Sequence, residues 1–209
     1  MGADVPKQFL LLKGIPVLMH TLDVFHRYDR NMRIILVLPG EQKDAWQKLC
    51  RDYRFTIRHE IRAGGRTRFH SVKKNLFVIP DPCLVAVHDG VRPLVSLGTI
   101  ERCFRYAQEH GNAIPCVEIP ETLRFIDGKD NRQADRALYR LVQTPQVFES
   151  SVLKKAYRHK YRHEFTDDAG VVESLGYTIN LVEGNPENIK ITFKKDMLIA
   201  ASLVNDGLL

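Results

Sequence analysis

The chain has 209 residues, 44% of them hydrophobic, which suits one domain with a sizeable core. No apolar run approaches the ~18 residues of a membrane span, and the opening MGADVPKQFLLLKG lacks the charged start and small-residue cleavage site of a signal peptide. Thirty-one Lys and Arg against 25 Asp and Glu leave a net charge of +6, which suits an anionic ligand without showing one.

Pro16 fits the first turn of a helix in IPVLMHTLDVFHRY, where Val17, Leu18, Leu22 and Phe25 share one face. RIILVL is a buried strand stopped by Pro39-Gly40, and EQKDAWQKLCRDY presents Ala45, Trp46, Leu49 and Tyr53 at helical spacing. FTIRHEI alternates with period two and reads as a strand ending at Ala63-Gly64-Gly65. Thr67 to Phe77 is helical, with Phe69, Val72, Leu76 and Phe77 inward. LVAV then forms a buried strand, and a helix near 97–110 closes on Gly111. NAIPCVEI is a further strand.

The alternation breaks over 118–143, where TLRFI and ALYRLVQ flank the turn-rich DGKDN as a projecting hairpin arm. TPQVF leads into a basic helix, SSVLKKAYRHKYR. FTDDAGVVESLG is a short helix with Thr166 as candidate N-cap and Gly176 as its stop. YTINLVEG is a strand, and a last helix covers roughly 195–205. The pattern predicts one α/β domain over 1–209, a doubly wound, mostly parallel sheet with helices on both faces. Such folds open with a strand and a glycine-rich turn, whereas this chain starts on a loop, so a first piece is expected to be missing.

LVAVHDGVRP runs a buried strand straight into Asp89, Gly90 and Arg92. A carboxylate just past a strand's carboxyl end lies where open α/β sheets place ligands, and one carboxylate suffices for a nucleotide-bound magnesium ion. Taken alone, the stretch is more simply a polar turn. Gly64-Gly65 before Arg66, Thr67, Arg68 and Ser71 is either an anion-binding helix start or a plain strand-to-helix turn. Lys7 in PKQF and Lys190 in GNPENIKIT are point charges suited to phosphate, or simply surface lysines. The basic helix around Lys154 and Arg158 lacks an aromatic platform, so no nucleic-acid partner is expected. Cys50, Cys83, Cys103 and Cys116 have no CxxC spacing and read as reduced, buried, small apolar residues of a cytoplasmic protein.

Six segments fall in one order: PKQF at 6–9, GGxxRxxS at 64–71, HDGVRP at 88–93, TPQVF at 144–148, TDDA at 166–169 and GNPENIKIT at 184–192. Together they resemble the 2-C-methyl-D-erythritol 4-phosphate cytidylyltransferase family of the non-mevalonate isoprenoid pathway. The resemblance runs through essentially the whole chain. It implies condensation of CTP with the polyol phosphate by in-line attack on the α-phosphate. Lys7 and Lys190 would stabilise that phosphate, and Asp89 would bind the ribose and a magnesium ion. Gly65 and Ser71 would read the cytosine, with Arg92 supporting the site. Thr122, Thr144 and Thr166 would position the acceptor, and Arg136 would reach it across a homodimer formed through the arm at 118–143.

On the resemblance, the family's first strand and most of its glycine-rich loop are expected to lie ahead of Met1-Gly2, which falls inside that motif, and an incomplete chain is expected rather than a protein that has lost half of its CTP site. Arg66 departs from an acidic residue in some relatives and takes no role. The rival expectations are a ribitol-5-phosphate cytidylyltransferase, with the same catalytic parts and another polyol, and a non-catalytic nucleotide-binding relative.

Overall fold

Val147 and Phe148 point to opposite faces of one strand, and the two helical layers on those faces frame the molecule. The computed structural model describes residues 5–204. After a 3-10 turn at Lys7–Phe9 the elements run β1 (Leu11–Leu12), β2 (Ile15–Pro16), α1 (Val17–Tyr28), β3 (Ile35–Leu38) and α2 (Lys43–Asp52). Then come β4 (Glu60–Ala63), α3 (Arg68–Leu76), β5 (Leu84–Val87), α4 (Leu97–His110) and β6 (Asn112–Val117). The excursion carries β7 (Leu123–Asp127), β8 (Asp130–Ala134), a 3-10 turn at Arg136–Leu138 and β9 (Leu141–Val142). The chain closes with β10 (Gln146–Glu149), α5 (Ser150–Ala156), α6 (Asp168–Glu173), β11 (Leu181–Glu183) and α7 (Lys194–Leu203). The expectations for Met1-Gly2 and for residue 205 of the last helix lie outside the described residues. No helix among the described residues is long and apolar enough to cross a membrane.

The main ladder has the order β11-β6-β10-β5, with β9 also paired to β6. It is mixed, not mostly parallel as the alternation of elements suggests. β11 and β6 are parallel, while β10 runs antiparallel to both β5 and β6. The reason is the excursion: the chain leaves β6 at Val117 and returns through β9, which pairs antiparallel with β6. No crossover helix intervenes to reverse it. TPQVF therefore holds a strand that its neighbourhood to a basic helix conceals. β3 and β4 form a separate parallel pair.

Helix α1 joins the two ladders. Leu18, Met19 and Leu22 pack with Leu36, Leu38 and Trp46 on the β3 side, while Phe25 meets the ring of His88 beyond β5 at 4.8 Å. Buried on almost every side, α1 behaves as a core helix rather than an amphipathic one. On the opposite layer, Phe69 of α3, Leu153 of α5 and Val171 and Val172 of α6 pack on Val85, Ile114 and Phe148. Helix α4 covers the other face through Cys103 and Ala107. Its ends are set by sequence: Ser96 accepts from the Thr99 amide at 3.1 Å, and Gly111, at φ 83°, supplies the left-handed residue that closes the last turn.

Several boundaries differ from the periodic reading. FTIRHEI extends only from Glu60, because Phe55 and His59 turn onto Trp46 and the His59 ring bonds the indole and the Ile57 carbonyl. Phe77 lies past the end of α3 and is exposed. The basic helix stops at Ala156, and Asp167, not Thr166, caps α6 by accepting from Gly170 at 2.9 Å. The hairpin in the excursion pairs LRFID with DNRQA, through a two-residue turn in which Gly128 adopts φ 58°. ALYRLVQ instead becomes the 3-10 turn and β9. All four cysteines are free, but only Cys103 is buried.

Candidate active site

Strand β5 delivers Asp89 to the end of the main ladder, and three cations converge on it. Lys190 Nζ lies 3.1 Å and Arg92 Nε 3.2 Å from Oδ2, while Arg68 Nε lies 3.7 Å from Oδ1. The Asp89 side chain is only 14% exposed. Burial alone would raise its pKa, but Lys190, Arg68 and Arg92 outweigh burial and hold it at about 2. The carboxylate is therefore ionised at any physiological pH.

The loop carrying Asp89 is braced from behind. Its amide donates to Thr144 Oγ1 at 3.1 Å. Thr144 Oγ1 also lies 3.1 Å from His88 Nδ1, and His88 Nε2 lies 3.0 Å from the Arg92 carbonyl. Burial pushes the His88 pKa down to about 4, so the ring is neutral at pH 7. With Arg92 O able only to accept, the network assigns the ring proton to Nε2, and Nδ1 accepts the Thr144 hydroxyl. Both sides of the Thr144 hydroxyl are thereby engaged, and the residue is buried. Arg92 is fixed as well, donating from Nη1 to the Asn188 carbonyl at 2.7 Å, and the Asn188 side-chain amide donates to Thr144 O at 2.8 Å. GNPENIKIT thus contributes one anchoring residue, Asn188, and one cation, Lys190.

A second wall comes from the turn into α3. The Gly65 amide donates to Ser71 Oγ at 3.0 Å, and Ser71 Oγ donates to Thr67 O at 2.9 Å. A Cβ on Gly65 would stand 2.6 Å from His70 Cβ, so only glycine lets the turn lie against the helix start. The same first turn projects Arg68.

Gln146 joins two of the sequence motifs. Nearly inaccessible in β10, it accepts the Asp168 and Ala169 amides at 3.0 and 2.9 Å and donates to Asp167 Oδ2 at 2.8 Å. TPQVF thereby holds Asp89 through Thr144 and TDDA through Gln146. Sequence reasoning gives Gln146, Arg68, Asp168 and Asn188 no role of their own, although Arg68 stands at the candidate anion-binding helix start and the other three lie within TPQVF, TDDA and GNPENIKIT.

Asp89, Arg92 and Lys190 are thus brought together, and Thr144, expected beside the acceptor with Thr122 and Thr166, lies behind the Asp89 loop. Gly65 and Ser71 are linked to them through α3. Thr122, Arg136 and Thr166 are exposed and, like Lys7, share no hydrogen bond or ion pair with Asp89 among the described residues. Arg136 Nη1 donates to the Pro120 carbonyl at the base of the excursion, close to Thr122 in the chain.

A mixed, helix-covered sheet ending on one ionised carboxylate among three cations defines an α/β protein with a cation-rich cluster at its strand ends, where open α/β sheets place ligands. Comparisons with known proteins are specific. The family described as IspD, 2-C-methyl-D-erythritol 4-phosphate cytidylyltransferase, matches residues 1–206, and the chain belongs to that family. A protein of that name from Bacteroides thetaiotaomicron is 51% identical over 204 residues, covering 98% of this chain and 93% of its own. Among solved structures, the Thermus thermophilus cytidylyltransferase of the same name matches with a TM-score of 0.79 at 33% identity, covering 95% of this chain and 93% of its own. That of Francisella tularensis matches at 0.80 and 29%, covering 96% and 94%.

Proposed function

We propose that this chain transfers the cytidylyl group of CTP to 2-C-methyl-D-erythritol 4-phosphate, releasing pyrophosphate. The carrying observation is Asp89 with Lys190, Arg92 and Arg68 at the strand end, in a chain of this family. An oxygen of the acceptor phosphate forms a bond to the α-phosphorus. The bond from that phosphorus to its bridging oxygen breaks, and pyrophosphate leaves with the electron pair. The acceptor, a phosphate monoester with a second pKa near ~6, needs no base to remove a proton. The protein's tasks are alignment of two polyanions, to which orientation can contribute ~7–11 kcal/mol, and electrostatic support.

Lys190 and Lys7 take the α-phosphate charge as it builds, and Gly65 with Ser71 holds the base. Thr122, Arg136 and Thr166 meet the acceptor, while Thr144 holds the Asp89 loop. The donor set fits magnesium: one ionised carboxylate suits an ion whose other ligands are substrate phosphates and water. No cluster of three or more His, Cys, Asp or Glu able to hold an ion occurs among the described residues, so the ion would arrive with the nucleotide. Bound on Asp89, it would supply charge neutralisation of the triphosphate.

The excursion serves as a dimerisation arm in this reading. Its support is the apolar surface left exposed on Phe125, Ile126, Leu138 and Leu141. Four free cysteines suit a reducing compartment such as the cytoplasm. The test is pyrophosphate release from CTP and magnesium, with methylerythritol phosphate and ribitol phosphate in parallel. Release with the first is expected; release with ribitol phosphate alone, or with neither, refutes the assignment.

A further inference from the structure

The buried carboxylate of Asp168 has no part in the reaction as described. At the first turn of α6 it is fully inaccessible, with Oδ2 2.5 Å from Arg68 Nη2 and Oδ1 2.5 Å from the Tyr157 hydroxyl. An ion pair whose carboxylate is wholly buried while Arg68 stays partly exposed is a weak stabilising device, since apolar residues of similar volume usually serve a core as well. Its geometry has another consequence. Arg68 is gripped at Nη2 by Asp168, and its Nε edge is turned toward Asp89 Oδ1.

The three cations on Asp89 are therefore not equivalent. Arg92 is anchored by the Asn188 carbonyl and Arg68 by Asp168. Lys190 is tied to Asp89 alone among the described residues, and its side chain is 44% exposed. An incoming polyanion competes with Asp89 for Lys190, and a flexible lysine follows it. Asp89 then keeps its position through the two arginines.

Resting on the proposed cytidylyl transfer, we infer that Asp168 is a positioning residue, clamping Arg68 so that Asp89 stays oriented once Lys190 moves to the nucleotide phosphates. Without the clamp, Arg68 is free to swing onto the triphosphate itself. The signature is a split: ground-state binding of CTP is kept or tightened while turnover falls.

The test uses the full chain with Asp168→Asn, Arg68→Gln, the double variant and Tyr157→Phe. Asp168→Asn should lower kcat by about 10–100-fold, with a calorimetric Kd for CTP, measured without metal, equal to or below that of the unaltered chain. The double variant should be no slower than Arg68→Gln alone, because Asp168 acts through Arg68. Millimolar guanidinium should restore part of the activity of Arg68→Ala and none when Asp168→Asn is added. Tyr157→Phe, which removes the other partner of Asp168, should lower the melting temperature and leave kcat within about twofold. Asp168→Asn with normal kcat, losses that multiply in the double variant, or weaker CTP binding in step with turnover would each overturn the inference. An inactive unaltered chain would overturn the proposed function and this inference with it. An active one with unaffected variants overturns only the inference.

Discussion

Replacing Asp89 by Asn keeps the side chain's size and removes its charge from among Lys190, Arg92 and Arg68. The fall of the Asp89 pKa from its ordinary 3.8 to about 2 corresponds to about 2 kcal/mol at ~1.36 kcal/mol per pH unit. Lys190 is partly exposed, so solvent screening reduces this to about 1–2 kcal/mol. For a chain of this size the melting temperature of Asp89→Asn should drop by about 3–6 °C at pH 7. The sign with pH follows from the depressed pKa. The contribution is complete above the unfolded value of 3.8 and is lost as pH falls through about 2. Calorimetric melting curves of the two proteins should thus differ at neutral pH and converge in strong acid. Pyrophosphate release should fall at least ~100-fold, since in the proposed function Asp89 would itself hold the metal, and losing a ligand exceeds the 10–100-fold typical of losing a ligand's partner. Turnover within about threefold of the unaltered chain, or a constant melting difference down to the lowest pH, would refute the reasoning.

Gly65→Ala sets a methyl 2.6 Å from His70 Cβ, which should cost about 1–3 kcal/mol and raise the KM for CTP about tenfold. An unchanged KM removes Gly65 from the nucleotide site. Thr144→Val leaves the Asp89 amide unpaired, at a cost of about 1–3 kcal/mol in thermal or urea melts. Kinetics should show a loss in kcat rather than in the KM for the acceptor; the reverse split would make Thr144 an acceptor contact. Arg136→Ala should raise the KM for methylerythritol phosphate about tenfold with the calorimetric Kd for CTP unmoved, and equal loss of both would count against an acceptor role.

The parts of the site that could be read from the chain are those whose local chemistry conflicts with their surroundings. A run such as LVAV has no local reason to end on Asp89, and a Gly-Gly pair before a helix declares a close approach. The local chemistry of Arg66 and Arg68 in GGRTRFHS is alike, and what fixes Arg68 is a carboxylate 100 residues away. Nothing near Arg68 in the chain could disclose that partner. The direction of β10 was hidden for a related reason: strand sense depends on how the excursion returns, a tertiary property that periodicity does not encode. The hairpin's second strand, DNRQA, is polar on both faces and carries no alternation to detect. Helix ends were clearer, because Gly111 and Ser96 act on their own neighbours.

The charge balance at Asp89 explains why so few residues there need be dedicated to chemistry. Arg68, Arg92 and Lys190 face the carboxylates of Asp89 and Asp168, so the ligand-free cluster has a surplus of one positive charge. A nucleoside triphosphate brings about four negative charges, and the acceptor phosphate a further ~1.5–2. The cluster cannot neutralise both substrates, and a site rigidly built with enough cations to do so would repel itself when empty. The arrangement avoids that conflict. Two arginines are fixed by protein groups beside Asp89; in the proposed reaction Lys190 would be released as phosphate arrives, and the remaining positive charge would come with the nucleotide as a divalent ion or be drawn in on Lys7. Preorganisation is thereby confined to the group whose orientation matters, and mobile charge follows the substrates.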